Sequence, residues 1–217
     1  MSTGNHVIDS KIRRFLRKPI PEKLHAIRLI FNRLKSTLYY RRIFGSFGRG
    51  TVIFNPKHIS NAHLMNIGNR TSIGQSAHIE LISEYAGTSY SPAIEIGNDV
   101  YIGPNLYMVC IGKITIGDGS VLSEHVFVHD SNHGFEPEGG LIMQQPLVHG
   151  GNIAIGKNCF LGFRTAIMPG VTLGDHCVVA TGSVVTKSFP AYSMLAGVPA
   201  VLIKRYSFSE KRWTKDK

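Results

Sequence analysis

The chain reads as an all-β protein, a parallel β-helix preceded by an α-helical segment. Three observations predict this: an aliphatic residue every six positions, glycine directly after many of them, and an N-terminal stretch that repeats at helical spacing instead. The sixfold period is clearest at Ile155, Leu161, Ile167, Leu173, Val179 and Val185. A strand repeats every 2 residues and a helix about every 3.6, so an unbroken period of six is neither alone. It fits a solenoid in which three short strands make one coil and each in-phase aliphatic enters a shared core. The strands of an ordinary β-sandwich do not hold phase over so long a stretch.

The elements follow in order. Residues 1–50 carry twelve Lys/Arg and two acids, whereas residues 51–217 carry twelve of each, so the whole net charge of +10 belongs to the first fifty residues. Within them Leu24, Ile27, Phe31, Leu34 and Leu38 recur at helical spacing. This predicts a basic amphipathic helix from about Glu22 into the Tyr39–Phe44 region, with a shorter helix before Pro19. Such a helix suits an anionic membrane surface. It equally suits packing on the β-helix or on a neighbouring subunit with its charges solvated. No nucleic-acid recognition motif accompanies the charge.

The repeat then begins. Ile67-Gly68, Ile73-Gly74 and Ile79 are in phase, as are Ile96-Gly97, Ile102-Gly103 and Met108, then Ile116-Gly117, Leu122 and Val128. The phase slips by two at Ile94, Ile114 and Ile153. Eighteen residues per coil give roughly six or seven coils over residues 51–187, in a domain that runs to residue 205. Two polar stretches interrupt it, residues 83–92 and 129–152. Val128 and Ile155 are 27 residues apart, which reads as one coil and a surplus of nine that bulges outward. Loops on a rigid solenoid are where chemistry is placed. Residues 206–217 read as a short polar tail.

Cys110, Cys159 and Cys177 show neither a pairing pattern nor metal spacing, and read as buried small residues in a reducing compartment. The chain starts polar and has no apolar run approaching 18 residues, so a cytoplasmic setting is expected, at most at the inner face of a membrane. His125, His129 and His133 are spaced by four. That spacing would gather ligands on a helix but is out of step with a period of six, so no metal is expected.

Four stretches carry a family resemblance: Ile155-Gly-Lys-Asn-Cys-Phe-Leu-Gly, Ile167-Met-Pro-Gly-Val-Thr-Leu-Gly-Asp, Gly182-Ser-Val-Val-Thr-Lys and Ala196-Gly-Val-Pro-Ala. Together they resemble the hexapeptide-repeat acetyltransferases, most of all the sugar O-acetyltransferases of lipopolysaccharide, O-antigen and capsule synthesis. The resemblance covers about residues 50–206. It implies a left-handed β-helix, a homotrimer, and acetyl-CoA in the groove between neighbouring subunits as donor to a sugar hydroxyl. N-acetylation of an amino sugar, possibly nucleotide-linked, and a degenerate scaffold stay open as alternatives.

By that resemblance the catalytic residue is His133, in Asp130-Ser-Asn-His-Gly, after the Ile116-Gly117-Asp118 corner. A sugar hydroxyl is a weak nucleophile, and an imidazole, which titrates near 6.5 in model peptides, suits it as general base. Asn132 or Asp130 would orient the ring, and Asp130 reads equally as a turn residue. For the cofactor the resemblance implies Gly162 and Phe163, Ala180 and Thr181, then Thr186, Lys187, Lys204 and Arg205 toward the adenine and phosphates. Phe160 would flank the substrate groove. The acceptor-binding Asn and Asp of the galactoside and maltose branch align with Gly103 and Ile111, a departure that leaves Asn105, Tyr107 and Glu124 as candidate replacements. His149 is a second candidate for acceptor contact.

Overall fold

In-phase aliphatics every six residues must point into one interior, and in the computed structural model they do. It describes residues 15–215. Three parallel faces enclose the core. Ile67, Ile96, Ile116, Ile155 and Leu173 stack inside the first face, and Ile73, Ile102, Leu122, Leu161 and Val179 inside the second. Ile79, Met108, Val128, Ile167 and Val185 line the third. All of these are fully or almost fully buried. Burial of each such side chain contributes about 1.5–3 kcal/mol, which no single coil would collect without neighbours. The first and third faces each have six strands, so six coils are stacked.

The step from first to second face is always six residues, as from Ile96 to Ile102, and so is the step from second to third, as from Ile102 to Met108. All length variation falls at the return from third to first. The phase slips of two sit there, as do both interruptions. Val128 pairs with Ile167, 39 residues on, so the second excursion exceeds an eighteen-residue coil by 21 residues rather than nine. The smaller count fails because Ile155 belongs to the next face, not to the strand above Val128. Glycine after the aliphatic answers to close approach between coils: a Cβ on Gly68 would stand 2.6 Å from the carbonyl carbon of Gly97.

Both ends of the stack are covered. The amphipathic helix α1 spans Ile20–Lys35 and continues through a π turn, Ser36–Tyr40. It is fastened by its polar side: Ser36 Oγ, fully buried, accepts the Ile53 N–H at 3.0 Å. Tyr40, Phe44 and Phe47 close the first coil with rings 5.4–6.3 Å apart. The shorter helix expected before Pro19 falls largely on residues 1–14, outside the described residues. At the other end, the expected polar tail is instead a hairpin. Strand Ala200–Ser207 runs antiparallel to Ser193–Gly197, and Arg212–Lys215 adds beside it, with Trp213 opposite Tyr206. Extra strands there cover a face edge that would otherwise stay open.

Candidate active site

His133 ends the short strand Ser131–His133, which pairs antiparallel with Leu147–His149. The larger excursion is thus a hairpin rooted in the third face. Gly134 follows the histidine because a Cβ there would meet Gln145 Cβ at 2.8 Å. Gln145 is buried and clamps the excursion: its Oε1 accepts the Glu136 N–H, and its Nε2 donates to the carbonyls of Glu136 and Gly140.

The smaller excursion leaves from the same edge and forms its own hairpin, Glu84–Tyr85 against Thr88–Ser89. Two tyrosines tie it to the larger one. Tyr85 Oη donates to the Met143 carbonyl at 2.8 Å and Tyr90 Oη to the Leu147 carbonyl at 3.0 Å. The Tyr85 ring stands edge-on to His133, with centroids 5.6 Å apart. Between the hairpins and the third face lies a pocket of about 450 Å³. His133, Asn132 and Tyr107 line it, with Glu80, Tyr85 and His129.

Five rings run along the outer side of the third face toward this pocket: His58, His78, Tyr107, Phe127 and His129, each 4.6–5.4 Å from the next. Tyr107 lies parallel to His78, and His78 pairs with Glu80 at 3.3 Å. At the end of the row, His129 Nδ1 is 2.7 Å from the Ser131 carbonyl, which accepts its proton, while its buried Nε2 has no protein partner. This tautomer leaves Nε2 as an acceptor.

The sequence-derived residues divide. His133, Asn132 and Tyr107 share the pocket. Asp130 does not belong with them: it is fully buried, Oδ1 accepting the Ile111 N–H at 2.9 Å and Oδ2 the Gly112 N–H at 2.8 Å. It anchors the hairpin's root and touches neither His133 nor the pocket. His149 packs on the far side of that root, its Nε2 3.9 Å from Asp130 Oδ2. Asn105 and Glu124 sit on the edge between second and third faces, where Asn105 Nδ2 contacts His125 Nε2 at 3.2 Å and the Glu124 carbonyl accepts the Arg164 N–H. Gly162, Phe163, Ala180 and Thr181 continue this edge, the Phe163 carbonyl accepting the Gly182 N–H. Phe163 meets the His125 ring edge-on. Phe160 is exposed on the second face. Lys204 and Arg205, opposite Met194 and Ser193, lie toward the other end of that face. Thr186 and Lys187 follow the last strand of the third face.

Tyr85, Glu80 and the free nitrogen of His129 were not read from the sequence. The polar stretch 83–92 showed an excursion, but nothing in it indicated that it folds over His133. Among the described residues no three His, Cys, Asp or Glu side chains gather as metal ligands. All three cysteines are free and buried. Burial, with the Asp130 carboxylate beside it, pushes the Cys110 thiol far up. The hydrogen bond with Cys177, together with burial, pushes Cys159 up. Neither is an activated thiol.

Comparison with known proteins agrees with this architecture. Residues 152–187 match the family model "Hexapeptide repeat of succinyl-transferase". The galactoside O-acetyltransferase of Escherichia coli (strain K12) is 31% identical over 142 residues, covering 65% of this chain and 67% of that protein. WbbJ of the same organism, named for O-acetyl transfer in lipopolysaccharide biosynthesis, is 26% identical over 195 residues, covering 87% and 92%. Among solved structures, AntD, an N-acyltransferase from Bacillus cereus, superposes with a TM-score of 0.64 at 21% identity, over 78% of this chain and 87% of that one. That likeness shows the fold. The chain belongs to the hexapeptide-repeat acetyltransferase family, and its solenoid is the left-handed β-helix of that family.

Proposed function

We propose that the protein transfers an acetyl group from acetyl-CoA to a sugar hydroxyl of a surface-polysaccharide precursor, with His133 as general base. The observation that carries this reading is the setting of His133, exposed at the mouth of the pocket on a hairpin clamped by Gln145 and tied by Tyr85 and Tyr90. A base must be positioned to be useful, and these bonds fix the backbone that carries His133, with the Tyr85 ring edge-on to its imidazole. The relatives named for O-acetyl transfer support the class of reaction.

Acetyl-CoA supplies a thioester carbonyl. The residues on the edge between second and third faces fit its narrow arm: the small Gly162, Ala180 and Thr181 leave a strip beside the Phe163 ring, and a Cβ on Gly182 would meet nothing within 4 Å. Lys187, Lys204 and Arg205 would face the phosphates. His133 takes the hydroxyl proton as the sugar oxygen bonds to the acetyl carbon, and a proton passes to the departing thiolate. The faces of Tyr107 and Phe127 are taken up by their stacked neighbours, so it is their edges that offer apolar contact to a sugar, while Glu80 and Asn132 suit its hydroxyls. Within one chain His133 and the Phe163 edge bound opposite sides of the third face. A homotrimer brings the edge of one subunit to the hairpin of the next, and so completes the groove.

The test is thiol release from acetyl-CoA across a panel of sugars, nucleotide sugars and lipid-linked sugars, with His133→Ala alongside. Base catalysis predicts a loss of about 10²–10⁴ in kcat, with oligomeric mass unchanged. Retained turnover refutes the base. A product acetyl group that survives mild alkali is an amide, and moves the reading to N-acetylation.

A further inference from the structure

Helix α1 is attached to the solenoid the wrong way round for an ordinary surface helix. Its inward side is short of apolar residues: Asn32 is buried there with the half-buried Leu29, Ser36 is buried just past its end, and Arg28 at the edge of that side reaches Gln75 on the solenoid. Its apolar side faces away. Ile20, Leu24, Ile27, Phe31 and Leu34 follow one another at intervals of four and three, so they form one stripe. With Ile30 beside them they are 53–71% exposed. An apolar stripe of this length on a fixed helix calls for a partner.

The charges beside the stripe identify that partner. At 100° per residue, Lys23 lies along one flank, and Arg28 and Lys35 lie along the other. The sole acid from residue 15 to residue 50 is Glu22, which falls on the opposite side and pairs with Lys18. A second copy of α1 laid against the stripe would bring cation against cation, with no carboxylate on either flank to answer them. Anionic lipid headgroups answer both flanks at once, while the stripe enters the acyl boundary and the Lys and Arg stems reach back up. α1 has 16 residues, and none of the described helices is long and apolar enough to cross a membrane, so the helix lies in the surface.

We propose that the exposed face of α1 docks the protein on an anionic lipid surface. This stands independently of the acetyl-transfer reading. The test is co-sedimentation of the full-length protein with vesicles of phosphatidylcholine alone and of phosphatidylcholine with about a third phosphatidylglycerol. The L24Q/I27Q/F31Q/L34Q and K23E/R28E/K35E variants are run alongside, with mass by light scattering. All four apolar positions are exposed, so their substitution leaves the fold intact. Wild type is expected to bind the anionic vesicles at least about tenfold better than either variant and to release as salt rises, with all masses equal. Wild type failing to bind anionic vesicles overturns the proposal, as does equal binding by wild type and the apolar variant. A fall in mass confined to the apolar variant also overturns it, and assigns the face to a second copy of the chain.

Discussion

Asp130→Ala separates two roles for a carboxylate placed three residues before the candidate base. In the structure this side chain is fully buried and accepts two backbone N–H groups, those of Ile111 and Gly112, at 2.9 and 2.8 Å. Alanine leaves both donors without partners in a dry site, at about 1–3 kcal/mol each. Relief from burying the carboxylate offsets part of this, so a net loss of about 3 kcal/mol is expected. For a chain of this size each kcal/mol lowers Tm by about 2–4 °C, giving a fall of about 6–12 °C by calorimetry. Because the carboxylate anchors the hairpin that ends at His133, kcat should fall along with stability. Asp130→Asn keeps one acceptor but sets an amide N–H against the second backbone N–H, and should recover less than half of the loss. An unchanged Tm with a raised KM for the acceptor would refute this account and return Asp130 to the substrate.

Three further outcomes follow. Leu122→Ala removes a fully buried side chain stacked between Ile102 and Leu161, and should cost about 2–5 kcal/mol in denaturant unfolding. Gln145→Ala removes the clamp on residues 136–145 while leaving the coils intact. Hydrogen exchange should quicken there and kcat/KM should drop, with Tm little changed. Asp118 is held below the usual carboxylate range chiefly by the Asn98 backbone N–H, helped by the Asn98 amide and Lys157. Its folded value is the lower one, so its contribution to stability is complete above about pH 4 and fades as pH falls through the folded value. The stability difference between wild type and Asp118→Asn at neutral pH should therefore close in acid.

The solenoid was legible because a period of six survives any choice of loops. The same period says nothing about which face a residue occupies, and that is why the excursion after Val128 reads short: Ile155 is in phase but one face further on. His133, Asn132 and Tyr107 were legible as residue types in a setting, and the structure places them around one pocket. Asp130 was ambiguous because a turn former, an acceptor ligand and a buried cap for backbone N–H groups are the same letter in a sequence. Tyr85 and Tyr90 were not legible at all. Their hydrogen bonds to Met143 and Leu147 exist because two excursions far apart in the chain leave the same edge two coils apart, with the coil of Met108 between them. The terminal hairpin was missed because its strands lie outside the period of six, so no in-phase aliphatic marked them.

The fixed spacing of six on two of the three turns, with all surplus length at the third, has a consequence for how such a chain diversifies. Insertion is tolerated at a single seam, and each insertion there lands beside the previous one without disturbing the stacking that holds the prism together. The two hairpins over the third face are therefore a module carried on the stack through a few anchors, Asp130 among them. Exchanging them between relatives at residues 83–92 and 131–151, with Asp130 and Asn152 kept on the backbone N–H groups they cap, should alter what the pocket accepts while changing the melting of the host little.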